Sequence, residues 1–111
     1  MMLPGFASVV VSEQKIVAYL LSFSHPDGRS KALFFSRFGF RADQWLIFAE
    51  ALRRHAATHE VAAMDATPFG IRYVIEGELV TPDGRSPFVR TVWFIATGDV
   101  VPHLVTAYPR R

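Results

Sequence analysis

Ile71-Arg72-Tyr73-Val74-Ile75-Glu76 is the stretch at which the period of this chain changes. Ile71, Tyr73 and Ile75 alternate with Arg72, Val74 and Glu76, the two-residue repeat of a strand with one covered face. Toward the C-terminus, Thr81-Pro82-Asp83-Gly84-Arg85 reads as a hairpin loop, with Pro and Gly in turn-favoured places. Residues 88–96 form the next strand, with Val89, Thr91, Trp93 and Ile95 on alternate positions. Thr97-Gly98-Asp99 turns the chain again, and residues 100–108 form the last strand, ended by Pro109. Toward the N-terminus, Pro68-Phe69-Gly70 is a turn, preceded by an alanine-rich first strand at 60–66. Connections this short imply an antiparallel meander over 60–66, 71–80, 88–96 and 100–108.

Upstream of residue 60 the repeat is helical. Trp45, Phe48, Ala49, Leu52 and Ala56 share one face of a helix over 43–57, with Arg53 and Arg54 turned away. A short phenylalanine-rich helix spans 31–38, with Ser30 as its N-cap, Gly39 as its left-handed C-terminal residue and Phe40 as the following apolar contact. Ser12 caps a first helix over 13–22, with Glu13 near its positive end and Ile16, Tyr19, Leu20 and Phe23 at helical spacing. Pro26 resists continuation of that helix. Residues 1–11, with Pro4 and Gly5, read as an irregular arm or a short strand. The expected fold class is α+β: three N-terminal helices packed on a four-stranded antiparallel sheet, with helix three as the natural cover.

The length of 111 residues suits one domain, residues 1–111, with a real core, and 50% hydrophobic content argues against disorder. The net charge of +2 permits a phosphate-rich partner without requiring one. There is no cysteine, which excludes disulfide scaffolds, thiolate metal sites and cysteine nucleophiles together. Val9-Val10-Val11 is too short for a membrane span or a signal core, and no basic segment precedes it. The expected address is the cytoplasm, with no membrane association.

Chemistry concentrates at His25-Pro26-Asp27-Gly28-Arg29-Ser30-Lys31. Gly28 permits a tight backbone, the start of helix two presents N–H groups at Arg29 and Ser30, and Arg29 and Lys31 add positive charge, a combination that can hold a phosphate. His25 is the adjacent side chain able to pass a proton near neutral pH. The alternative is a helix–helix corner in which His25 fills a turn and the cations are solvated. A second cluster lies in the strands: Arg72, Glu76 and Arg90 can share one sheet face, and Thr106 and Tyr108 point the same way on the last strand. Strict alternation turns His103 the other way, unless a bulge near Pro102 redirects it. Cross-strand pairing on a solvated face is the plainer reading of these residues. His55 and His59 have one metal-ligand spacing but no third ligand at zinc-motif distance, so they read as solvated histidines and no metal is expected. Phe34, Phe35, Phe38 and Phe40 read as core rather than as a base-stacking platform. No nucleophile-elbow or dinucleotide motif is present, and no cofactor is expected.

The pattern Lys-x3-Tyr-Leu-Leu-x3-His-Pro-Asp-Gly-Arg-Ser-Lys-Ala-Leu-Phe-Phe-x3-Gly-Phe-x4-Trp, from Lys15 to Trp45, resembles an uncharacterised bacterial domain family with a His-Pro-x-Gly-x-x-Lys-Ala-x-Phe-Phe core. The resemblance continues through Pro68-Phe69-Gly70, Pro82-Asp83-Gly84-Arg85, Arg90-Thr91-Val92-Trp93 and Leu104-Val105-Thr106-Ala107-Tyr108-Pro109. More loosely, helices leading into a four-stranded antiparallel sheet with a final Thr-x-Tyr-Pro strand look like the barnase–EndoU–colicin–RelE group of small metal-independent ribonucleases, many of them toxins. That resemblance implies an RNA endonuclease using His25, Lys31, Arg90, Thr106 and Tyr108, with Gly28, Arg29, Ser30 and Arg72 holding phosphate. It also implies RNA and a small cognate antitoxin or immunity protein as partners, for a monomer or homodimer. The contrasting expectation is a non-catalytic binding domain whose cationic pocket holds an anionic ligand or a partner protein.

Overall fold

The computed structural model describes residues 1–110. Four strands, β1 (Val61–Thr67), β2 (Gly70–Glu78), β3 (Phe88–Ala96) and β4 (His103–Pro109), form one antiparallel sheet in the order β1-β2-β3-β4. The meander and the α+β class therefore follow the alternation seen in the sequence. In front of the sheet come α1 (Glu13–Lys15, continued by a π turn at Ile16–Leu20), α2 (Arg29–Arg37) and α3 (Trp45–Thr58).

The face of the sheet that carries Tyr73, Ile75, Val89, Trp93, Leu104 and Ala107 shares one core with Phe48, Ala49, Leu52 and Ala56 of α3. Phe48, Leu52 and Trp93 are fully buried, and each such large apolar side chain contributes about 1.5–3 kcal/mol through removal from water. Phe35 and Phe40 extend this core, stacking against Phe48 with ring centroids 4.7 and 4.4 Å away. The expected left-handed glycine ends α2: Gly39 has φ +100°, its N–H bonds Ser36 O (3.1 Å) and the Phe40 N–H bonds Phe35 O (3.4 Å).

Several expectations are corrected. Helix one stops at Leu20, where the Leu21 N–H closes an i→i+5 turn on Ile16 O (2.7 Å). Phe23 lies beyond it and is 56% exposed, so it does not share the buried face of Ile16 and Leu20. Helix two begins at Arg29 with Gly28 at its N-cap, so Ser30 sits inside the first turn and is not the cap. The last strand starts at His103, because the Asp99 carboxylate draws in the Val100 and Val101 N–H groups (2.7 and 3.1 Å) and curls residues 99–101. His55 is not solvated: it is 1% exposed, on the inner face of α3.

That buried imidazole completes a polar chain. The Trp93 indole N–H donates to Thr91 Oγ1 (2.9 Å), the Thr91 hydroxyl donates to His55 Nδ1 (3.0 Å), and His55 Nε2–H donates to Gly77 O (3.1 Å). Burial, with the neighbouring His59 charge, pushes the His55 pKa down to about 4, so the ring is neutral.

A register shift between Val92 and Trp93 marks a bulge in β4. Val92 faces Thr106 and Phe94 faces His103, so His103 joins Thr106 and Tyr108 on the outer sheet face. The reversal of His103 thus comes from a bulge at Val105, not near Pro102. The N-terminal arm contributes a short 3-10 turn (Phe6–Ser8) and one parallel bridge, in which Val10 bonds Pro102 O and the Leu104 N–H along the outer edge of β4.

Candidate functional site: a cationic cleft beside the last strand

α1, the corner before α2 and the bulged part of β4 enclose a cleft of about 700 Å³, lined among others by Lys15, Tyr19, His25, Asp27, Val105 and Thr106. The Ser12 hydroxyl accepts the Lys15 N–H (3.1 Å) and fixes the start of α1. Tyr19 lies on the π turn, a distortion often found at functional positions. Its hydroxyl is 2.9 Å from Thr106 Oγ1, which ties the first helix to the last strand.

His25 is held by the backbone around it. Its Nδ1 accepts the N–H groups of both Asp27 and Gly28, each at 3.0 Å. Its own N–H reaches Ser22 Oγ (3.2 Å), and its carbonyl accepts the Arg29 N–H (3.0 Å). The imidazole therefore fixes the turn that leads into α2, and the helix itself has no side-chain cap. Two donors on Nδ1 require a lone pair there, so the neutral ring carries its proton on Nε2. The ring stands edge-on to Tyr19 at 5.0 Å between centroids.

Two ammonium groups flank the same tyrosine. Lys15 Nζ lies 5.3 Å and Lys31 Nζ 5.4 Å from the Tyr19 ring centre, within cation–π range. Lys31 Nζ also donates to Asp27 O (2.9 Å). Asp27 brings one carboxylate to the wall, so the surroundings of Tyr19 carry a net positive charge. An anion here meets the Lys15 ammonium, an imidazole and a pair of hydroxyls, a set of donors able to stabilise charge growing on phosphate oxygens, with Lys31 beyond the Tyr19 ring.

The predicted residues separate into groups. His25 and Thr106 line this cleft. Ser30, Lys31 and Tyr108 line a second hollow on the other side of Lys31. Arg90 stands opposite Tyr108 and is engaged: it donates to Glu76 Oε2 (2.7 and 3.1 Å) and to the Tyr108 hydroxyl (3.2 Å). The Arg90 hydrogen bonds, helped by Arg110, hold the Glu76 carboxyl below its ordinary range. The Tyr108 and Glu76 hydrogen bonds raise Arg90 in turn. Arg72 is exposed between Asp65 and Phe94 of the neighbouring strands, and Arg29 is exposed at the start of α2. Gly28 is buried: a Cβ there would sit 2.0 Å from Tyr19 O, so this glycine serves close helix–helix approach. Lys15 and Tyr19 were not among the expected site residues. Their signal was present, since both belong to the pattern that opens at Lys15 and they stand four apart on one helix face. No group of three or more His, Asp or Glu side chains is placed to hold a metal ion among the described residues, and no helix among them is long and apolar enough to cross a membrane.

No curated protein matches the sequence. Among solved structures, the fold is similar to a chain of a contact-dependent growth inhibition toxin–immunity protein complex from Klebsiella pneumoniae 342, with a TM-score of 0.73. The match covers 91% of this chain and 99% of that chain at 16% identity, a likeness of fold. A family profile described as "Domain of unknown function (DUF6883)" matches residues 2–111, and the chain belongs to that family.

Proposed function

We propose that this domain is a metal-independent RNA endonuclease of the toxin kind, cleaving by attack of a ribose 2′-hydroxyl on the adjacent phosphate. The observation that carries it is the convergence of His25, Lys15 and the Tyr19–Thr106 hydroxyl pair on one cleft, with Lys31 over the Tyr19 ring. The shared fold with a chain from a toxin–immunity complex supports the toxin-related part, and with it a small cognate immunity protein as partner.

In this reading Lys15 and Lys31 offset the charge of the phosphate, while the hydroxyl pair orients the 2′-hydroxyl. The 2′ oxygen–phosphorus bond forms and the phosphorus–5′ oxygen bond breaks, and the 2′ proton passes through water to the departing 5′ oxygen. With Nδ1 holding the Asp27 and Gly28 N–H groups, His25 donates a hydrogen bond from Nε2 to the developing charge and does not act as a base. Arg90 and Tyr108 brace the outer sheet face beside the site.

The test is cleavage of total RNA by purified protein in EDTA, comparing wild type, His25→Asn and His25→Ala. An Asn side chain can still accept the two backbone N–H groups but offers no imidazole. A loss of about 100-fold in His25→Asn with unchanged melting supports the assignment. Wild-type activity in His25→Asn removes His25 from the chemistry, and intact RNA with wild-type protein removes the endonuclease reading. A second reading, a binding domain whose cationic cleft holds an anionic ligand or a partner protein, is favoured by one observation: the bonds to its own turn already give His25 a structural role.

A further inference from the structure

Lys31 is a wall shared by two hollows. On one side, its ammonium bonds Asp27 O and sits over Tyr19, and both of those residues line the 700 Å³ cleft. On the other side, Lys31 lines a hollow of about 470 Å³ together with Ser30, Phe34, Arg37, Tyr108 and Pro109. The two floors are continuous along β4. Thr106 belongs to the first hollow and Tyr108 to the second, two residues apart on one face, which is about 6.6 Å along a strand. On the opposite wall, Arg37 lies about 1.7 turns beyond Lys31 on α2, about 9 Å along the axis.

We propose that this second hollow is a binding subsite for the nucleotide next to the cleaved one, so that the substrate is single-stranded RNA threaded between α2 and β4. The inference rests on the endonuclease reading of the first cleft. Arg37 is exposed and able to meet the neighbouring phosphate, and the half-buried rings of Phe34 and Tyr108 offer flat surface to its base. Cations that track a backbone beside aromatic faces are the chemistry of sequence-tolerant single-strand binding. A duplex keeps its bases stacked inside and gives these rings nothing to cover. An acidic peptide would use Arg37 and leave both rings bare.

The experiment measures binding of fluorescein-labelled 2′-O-methyl RNA, which cannot supply the attacking hydroxyl, as a hexanucleotide and as a dinucleotide. Wild type is expected to hold the hexanucleotide about tenfold more tightly. Arg37→Gln is expected to weaken the hexanucleotide about fivefold, leave the dinucleotide unchanged and reduce the slope of log K against log salt by about 0.7. Arg37→Lys restores most of the loss. Arg37→Gln that binds both probes as wild type does overturns the subsite while leaving the first cleft intact, as does an equal loss on both. Equal affinity for a duplex of the same strand overturns the single-strand assignment. Failure to bind any RNA, with hexaglutamate bound instead, overturns this inference and the endonuclease reading together. Length-dependent binding without cleavage of ordinary RNA removes the endonuclease reading and keeps the subsite.

Discussion

The imidazoles of His25 and His55 are both hydrogen-bonded to backbone, yet they sit in opposite environments. His55 spends both ring nitrogens inside the core, one on Thr91 and one on the Gly77 carbonyl. His25 spends only Nδ1, on two N–H groups of its own turn, and lines an open cleft with its neighbours Lys15 and Tyr19. A histidine with both nitrogens consumed fixes structure. One with a nitrogen to spare can fix structure and still meet a ligand.

Loss of the His55 ring should cost more than loss of the His25 ring. His55→Ala should lose about 4 kcal/mol of stability, since it opens a cavity and strands the Gly77 carbonyl and the Thr91–Trp93 pair; denaturant melts measure it. A loss below about 1 kcal/mol would make the two sites equivalent. Acid should act through the same ring. The His55 pKa falls from 6.5 when unfolded to about 4 when folded, so between those values the unfolded chain binds the extra proton. Stability is therefore full above about pH 6.5 and declines toward pH 4 by about 3 kcal/mol. His55→Gln should flatten that slope.

Gly28→Ala should cost about 2 kcal/mol, because the added methyl meets the Tyr19 carbonyl and not a movable side-chain tip. It should also lower activity by pushing Tyr19 away from Thr106. The smallest effect belongs to His25. His25→Ala should lose about 1 kcal/mol with its two bonds to the turn, and His25→Asn should melt as wild type does, by thermal melts. Equal losses in the two variants would mean that the Nδ1 bonds carry no stability.

Much of the architecture is legible in residue order because it follows from simple periods. Trp93, Tyr73 and Ile75 alternate into the core, and Phe48, Leu52 and Ala56 recur at helix spacing. Gly39 announces its own backbone. What is hidden depends on partners far along the chain. No local pattern marks the i→i+5 turn at Ile16–Leu20, so helical spacing alone carries Phe23 onto the first helix. Ser30 is a good cap by type, but the turn that His25 closes on the Asp27 and Gly28 N–H groups starts the helix at Arg29, one residue before Ser30. The Val105 bulge needs the register against Val92 to be seen. His55 was readable: it stands three residues after Leu52 and seven after Phe48, on the face already assigned to the core. The cleft itself needed the third dimension, because Lys15 and Tyr19 come from the lead-in helix and Thr106 from the final strand.

The Tyr19–Thr106 bond joins positions 87 apart, and that separation has a kinetic meaning. Contacts so distant close late, after the shorter loops of the meander. On a ribosome, β4 emerges after the helices and the first three strands, so a nascent chain holds its first helix without this partner until then. Whatever the cleft does, it can begin only once β4 has been made, which keeps copies that stop short of it inert.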